Sequence, residues 1–283
     1  MTLTGHTTPV YSLAVLQNGD LASGSDANEN QVKLWNINDG SLVRTIQTNH
    51  IWAVEALLAL PSGYLASGSG DRSIKVWNPN DGSLIRLINA HSWDVTSLCL
   101  LDNGNVASGS WDGSVKIWNI STGTLLGTFL GHSGKIFSIA KLKNGYLASG
   151  SLDQTIKIWD TNLGVLKRTL TGHSSEVRSL AMLQNGCLAS GGFGEIKIWN
   201  VTDGSLMATL TGHTNLVFSL VVLRNGYLAS AGVDQTIKIW NVNEGSLIRT
   251  LRDHAGTVLS LAVLQNGYLA SASSDKTVKI WRT

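Results

Sequence analysis

The stretch I-F-S-I-A-K-L-K-N-G-Y-L-A-S-G-S-L-D-Q-T-I-K-I-W-D, residues 136–160, decides the fold. Two apolar runs, 136–142 and 146–151, flank Asn144-Gly145. An Asn-Gly pair in that setting is the strongest short hairpin signal, and it predicts a type I′ turn with positive φ at both central residues. A short turn at Leu152-Asp153-Gln154 leads to T-I-K-I-W (155–159), and a glycine turn leads to V-L-K-R-T-L (165–170). The unit therefore reads as four short antiparallel strands, a to d. No segment sustains a 3.6-residue apolar period, so no helix is expected.

The same unit recurs along the whole chain. The seven histidines, His6, His50, His91, His132, His173, His213 and His254, are spaced 40 to 44 residues apart. Each is followed 26 to 29 residues later by a tryptophan: Trp35, Trp77, Trp118, Trp159, Trp199, Trp240 and Trp281. Self-similarity at such a period fixes the architecture before any local propensity does. The repeats run 6–49, 50–90, 91–131, 132–172, 173–212, 213–253 and 254–283 plus 1–5, and residues 1–283 read as one domain.

A lone four-stranded sheet has two apolar faces and open edges. Radial packing covers both faces, whereas a linear solenoid would need polar capping repeats, and none is visible. The expectation is an all-β closed ring of seven sheets. Its ends support this. T-L-T-G-H at 2–6 matches 169–173 and 209–213, so residues 2–4 read as a strand d that joins strands a–c of the last repeat. About six residues of the usual turn are missing at that junction, which is compatible with a domain cut from a longer protein.

The Gly-His pair, the L-A-S-G-S-x-D run and the I-K-I-W ending resemble the WD40-repeat β-propeller family over the whole chain. The eponymous Trp-Asp occurs only at Trp159-Asp160. Five copies have Trp-Asn, and the last has Trp281-Arg282. The resemblance implies a seven-bladed β-propeller and a buried hydrogen-bond relay in each blade. Carried onto this sequence, the full sets are His50/Ser67/Asp71/Trp77, His91/Ser108/Asp112/Trp118, His132/Ser149/Asp153/Trp159, His213/Ser230/Asp234/Trp240 and His254/Ser271/Asp275/Trp281. Two copies depart from the pattern. The first has two extra residues and Glu29 where Asp is expected, and the fifth has Phe193-Gly194-Glu195 and no Asp. Their relays are expected to be incomplete.

Composition excludes several functions. One histidine per repeat does not supply the convergent ligands of a zinc site. Ser, His and Asp are hydrolase residue types, but a set present in five copies is architecture, and no G-x-S-x-G elbow occurs. No enzyme activity, metal or cofactor is expected. Net charge is +2 with charged residues only 14% of the chain, and no basic cluster offers a footprint for nucleic acid. The lysine two residues before each repeat tryptophan is expected to lay its stem on neighbours and snorkel its amine outward. Cys99 and Cys187 lie in different repeats and read as free thiols, which points to an intracellular protein, cytoplasmic or nuclear. No run is long enough to span a membrane, and strand d beginning at Thr2 leaves no room for a signal peptide. The sequons at Asn119 and Asn200 fall in c–d turns and follow from the repeat.

Once the repeating residues are assigned to scaffold, three tryptophans remain: Trp52, Trp93 and Trp111. By family geometry all three open on the top face of neighbouring blades 2 and 3. The residue five after each histidine should approach the central channel there: Tyr11, Glu55, Thr96, Phe137, Arg178, Phe218 and Leu259. Leu152 occupies the place held by Trp111. In relatives such a rim receives a peptide side chain. The candidate partner-binding residues are therefore Trp52, Trp93, Trp111, Phe137, Leu152, Tyr11, Phe218, Glu55 and Arg178, centred on blades 2–4. The leading reading is a non-enzymatic scaffold, monomeric by itself, for a protein or peptide partner. Two others stand beside it: a ligand-sensing or regulatory domain of a larger protein, and an engineered or model propeller with no ligand.

Overall fold

The computed structural model describes residues 1–143 and 145–283, so Asn144 of the quoted turn lies outside the described residues. Every regular element among the described residues is a strand, and seven repeats of four antiparallel strands make up the chain. In the fourth repeat the strands are Ile136–Lys141, Tyr146–Ser151, Ile156–Asp160 and Val165–Leu170, in register through Ile139–Ser149, Ser149–Lys157 and Lys157–Thr169. This is the architecture of a seven-bladed β-propeller.

Both faces of each sheet are apolar, and seven clusters of buried side chains lie between neighbours. One unites Ala22, Val32 and Ile46 of the first sheet with Val54, Leu65 and Trp77 of the second. Another joins Leu3, Ala270 and Val278 of the seventh sheet to Val10, Leu21 and Trp35 of the first. The glycine in L-A-S-G-S lets the sheets approach. A Cβ at Gly24 would stand 2.7 Å from Val54 Cγ1, and one at Gly150 would stand 2.7 Å from Val177 Cγ1. Strand Thr2–Leu3 is the outer strand of the last sheet, pairing Thr2 with Lys279 and Leu3 with Val278. It is only two residues long, and Trp281 stays partly exposed while the other six repeat tryptophans are buried.

Two local expectations need correction. Only the glycine of each described Asn-Gly pair has positive φ, as at Gly19 (92°) and Gly226 (85°), so these are not type I′ turns. Gly19 N–H donates to Leu16 O, and Leu16 N–H to Asp20 O, while Asn18 Oδ1 accepts from the Asp20 N–H. The pair thus serves a longer loop, with the asparagine side chain mimicking a backbone turn. In addition, strand d of the fifth repeat and strand a of the sixth form one continuous strand, Leu206–Val222. The b–c turn of the fifth repeat is one residue short, which lets Phe193 pair with Leu216 and draws the intervening loop into the ladder.

A recurrent irregularity was not foreseen. In six of the seven sheets strand a shifts register near its start, between Val10 and Ser12, Val54 and Ala56, Val95 and Ser97, Ile136 and Ser138, Val217 and Ser219, and Val258 and Ser260. The skipped residue is the one five after the histidine each time. A bulge frees its residue from the ladder and re-aims its side chain.

Leu3 is 2% exposed and is the main apolar side chain that the first strand brings to the seventh sheet. Leu3→Ala should lower unfolding stability by about 2–4 kcal/mol, read from urea melts against a Met1→Ala control that changes little.

Candidate functional site

The loops that carry the pocket are pinned by the relay. In the second sheet the Trp77 indole N–H donates to Ser67 Oγ at 2.9 Å, Ser67 Oγ lies 2.8 Å from His50 Nε2, and His50 Nδ1 lies 2.7 Å from Asp71 Oδ2. Asp71 also accepts from the Ile51 N–H and from the Ser73 N–H and hydroxyl. The Asp71 carboxylate can only accept, so the imidazole hydrogen sits on Nδ1, and with burial holding the ring neutral Nε2 accepts from the Ser67 hydroxyl. The same chain links Trp118, Ser108, His91 and Asp112. It recurs through Trp159, Ser149, His132 and Asp153, and through Trp240, Ser230, His213 and Asp234. Trp281, Ser271, His254 and Asp275 complete it in the seventh sheet.

Burial holds His50, His91, His132 and His254 below the usual imidazole value, against the pull of their aspartates. Burial would raise Asp71 and Asp112, but the hydrogen bonds from the histidine and the following serine outweigh it and hold both carboxyls low. The relay serines are fully buried, so no substrate reaches them.

The two departing repeats behave differently from each other. In the first, Glu29 completes the relay: its Oε2 lies 2.9 Å from His6 Nδ1, and Ser23 Oγ joins His6 Nε2 at 2.7 Å and Trp35 Nε1 at 2.8 Å. The longer side chain spans what the two-residue insertion opens, which corrects the expectation of an incomplete set. In the fifth, His173 Nε2 meets Ser190 Oγ at 2.7 Å, but Glu195 Oε1 stands 3.3 Å from His173 Nδ1, which is left buried without a hydrogen bond. The strand-c lysines also differ from expectation. Lys33, Lys75, Lys197 and Lys238 are buried rather than snorkelled outward, and Lys75 Nζ donates to Thr48 O and Asn49 O. Lys33 and Lys197 instead pair with Glu29 and Glu195, each at 3.0 Å, and Lys238 Nζ donates to Thr250 Oγ1.

The bulged residues and the loop tips meet in a cavity of about 550 Å³ over sheets one to three. Tyr11, Asp26, Trp52, Glu55, Arg72, Trp93, Asp94 and Trp111 line it. Trp52 and Trp93 are 61% and 54% exposed, unlike any repeat tryptophan. Gly70 gives the indole its seat, since a Cβ there would stand 2.9 Å from Trp52 Cβ. Trp111 carries the Lys135 ammonium 3.6 Å from its ring centroid, and its Nε1 is buried without a partner. Burial, reinforced by Asp94, pushes the Glu55 carboxyl up to about 8, against Arg178 and Lys135. Burial also raises Asp94, and burial with neighbouring Asp26 raises the Tyr11 phenol.

The structure thus brings Tyr11, Trp52, Glu55, Trp93 and Trp111 together, over blades 1–3 rather than 2–4. Phe137, Phe218, Arg178 and Leu152 do not line this cavity. Phe137 and Phe218 instead take the Arg178 guanidinium at 3.8 and 5.0 Å from their ring centroids, and Glu176 ties it down. The reason is the bulge: it turns each side chain toward whatever its neighbours in the ring supply, so aromatics beside an arginine are occupied by it. Asp26 and Arg72 were missed as pocket residues, whereas Asp94, three after His91, stands at a loop tip that points to this face.

Among the described residues no group of three His, Cys, Asp or Glu could hold a metal ion, and no helix is long and apolar enough to cross a membrane. Cys99 and Cys187 are free thiols, and burial pushes Cys99 up to about 11.

A family model described as WD domain, G-beta repeat, matches residues 1–36, 40–78, 82–119, 123–160, 164–200, 204–241 and 245–282. The chain belongs to the WD40-repeat family. No curated protein matches it. WD40 repeats are generally protein-interaction scaffolds, and such propellers are typically non-enzymatic. In this WD40 chain the cavity is lined by Trp52, Trp93 and Trp111, the three tryptophans outside the repeat pattern.

Two predictions follow from the relay. Asp71→Ala and Glu29→Ala each strand a buried histidine, and each should cost at least about 1 kcal/mol more in urea unfolding than Glu195→Ala, which removes no hydrogen bond from its histidine. Stability should also rise with pH. The unfolded chain protonates its histidines below about pH 6.5 while the buried ones resist, and the lowered relay aspartates lose their contribution as pH falls below about 4. Melting temperatures across that range check it, and a flat profile would contradict the neutral-imidazole relay.

Proposed function

We propose that residues 1–283 act as one rigid domain whose cavity face captures a peptide segment of another protein, without catalysis. The observation that carries this reading is the exposure of Trp52 and Trp93 beside Trp111 on one cavity, while the repeat tryptophans are buried or nearly so. An exposed indole is costly in water and retained where a partner covers it. Tryptophan is also the residue type most enriched at binding hot spots, because it buries a large area with few rotamers. Tyr11 and Glu55 complete the proposed site on the cavity itself. Phe137, Phe218, Arg178 and Leu152 form its far rim on this reading, where they shape what lies beyond the first anchored residue. The two free thiols favour a reducing compartment inside the cell.

The test is a random peptide array probed with the wild type and with the Trp93→Ala/Trp111→Ala double variant. The wild type should retain a consistent set of peptides, and the double variant should lose them at least about tenfold. Unfolding free energy should change by about 1 kcal/mol or less per site, since one indole is mostly exposed and the other half-buried. Equal retention by the double variant sinks the reading, and so does collapse of the fold, because the indoles would then be scaffold.

A further inference from the structure

Resting on the peptide-capture reading, we infer that the cavity seats the cationic tip of a lysine or arginine side chain of the captured peptide. Three indoles and a phenol supply the walls: Trp52, Trp93, Trp111 and Tyr11. Aromatic faces attract ammonium and guanidinium groups, and tryptophan does so most strongly. The molecule already shows this chemistry at the cavity's edge, where Lys135 rests on Trp111 at 3.6 Å. The carboxylates supply the matching charge. Asp26, Glu55 and Asp94 line the cavity against Arg72, with Lys135 at its edge on Trp111. Among the described residues no hydrogen-bond donor acts on the Glu55 carboxyl, and the Asp94 carboxyl is met by its own amide alone. A carboxylate on the cavity wall accepts charge-assisted hydrogen bonds from a ligand that brings N–H groups. Gly70 lets Trp52 and Asp94 close on one wall of the cavity, since a Cβ there would lie 2.9 Å from Trp52 Cβ and 3.5 Å from the Asp94 carboxyl carbon.

Recognition of a cation also sets a pH dependence. Glu55 faces Asp94, Arg178 and Lys135, with Tyr11 beside it and Asp26 and Arg72 across the cavity. With no cation bound, burial and Asp94 hold its proton to about pH 8. A bound cation favours the carboxylate, so capture expels the proton, and affinity rises as pH rises through the Glu55 value. If only the ionised form binds, the rise from about pH 6.5 to about pH 9 approaches thirtyfold.

The probes are capped five-residue peptides, Gly-Gly-X-Gly-Gly, with X arginine, lysine, citrulline or norleucine, titrated calorimetrically into the full chain. The arginine and lysine peptides should bind at least about tenfold tighter than the neutral pair. Binding at neutral pH should release close to one proton, read from the dependence of the heat on buffer ionisation. Glu55→Gln should abolish both the proton release and the pH dependence, and should bind no tighter than the wild type does near pH 6.5. Gly70→Leu, which pushes Trp52 and Asp94 off that wall, should lose all four peptides. Equal affinity for arginine and citrulline overturns the inference, as does a Glu55→Gln variant with an unchanged pH profile. Peptides captured on the array in a Trp-dependent way but without lysine or arginine leave the platform standing and remove the cation.

Discussion

A four-stranded sheet with two apolar faces cannot stand alone, and the rest of this molecule answers that constraint. Each sheet covers one face of the next, with a repeat tryptophan reaching into the cluster that it shares with its neighbour. The indole brings a polar N–H into that interior, so a partner must come with it. Serine on strand b, histidine in the d–a loop and an acidic residue in the b–c turn form the shortest chain of acceptors and donors from the core to the surface. Packing thus demands the tryptophan, and the tryptophan demands the relay. The relay in turn fixes the loops from which Trp52 and Trp93 project, two residues after their histidines.

Most of the fold was legible because it repeats. One Asn-Gly pair is a hint, and six at matching positions, with a histidine and a tryptophan in register, leave few architectures open. What the sequence hid were features set by partners rather than by local residue type. The Asn-Gly loops keep positive φ only at glycine because the asparagine side chain, not a second left-handed residue, closes the turn. The fused strand Leu206–Val222 follows from a single missing residue in the turn across from it. Glu29 looked like a broken relay because substitution and insertion were read separately, whereas in space each compensates the other.

The site was legible by subtraction. Removing one tryptophan per repeat left Trp52, Trp93 and Trp111, and these share a cavity. The charges were harder to place. Glu55 and Arg178 both stand five after a histidine, yet one is left unpaired in a cavity and the other is clasped by two phenylalanines and Glu176. Spacing told that they share a level of the ring. It could not tell which neighbour each would meet, since that depends on side chains some forty residues away in either direction.

The bulge at the head of strand a separates two kinds of position on a single strand. Val10, Val54 and Val95 before it, and the ladder residues after it, are tied to packing between sheets, where a change of one methyl group is felt. The residue between them has no register to keep. A lineage can therefore rewrite six letters of one surface, one in each bulged blade, without renegotiating the interior. A nearly symmetric frame can in this way carry an asymmetric message.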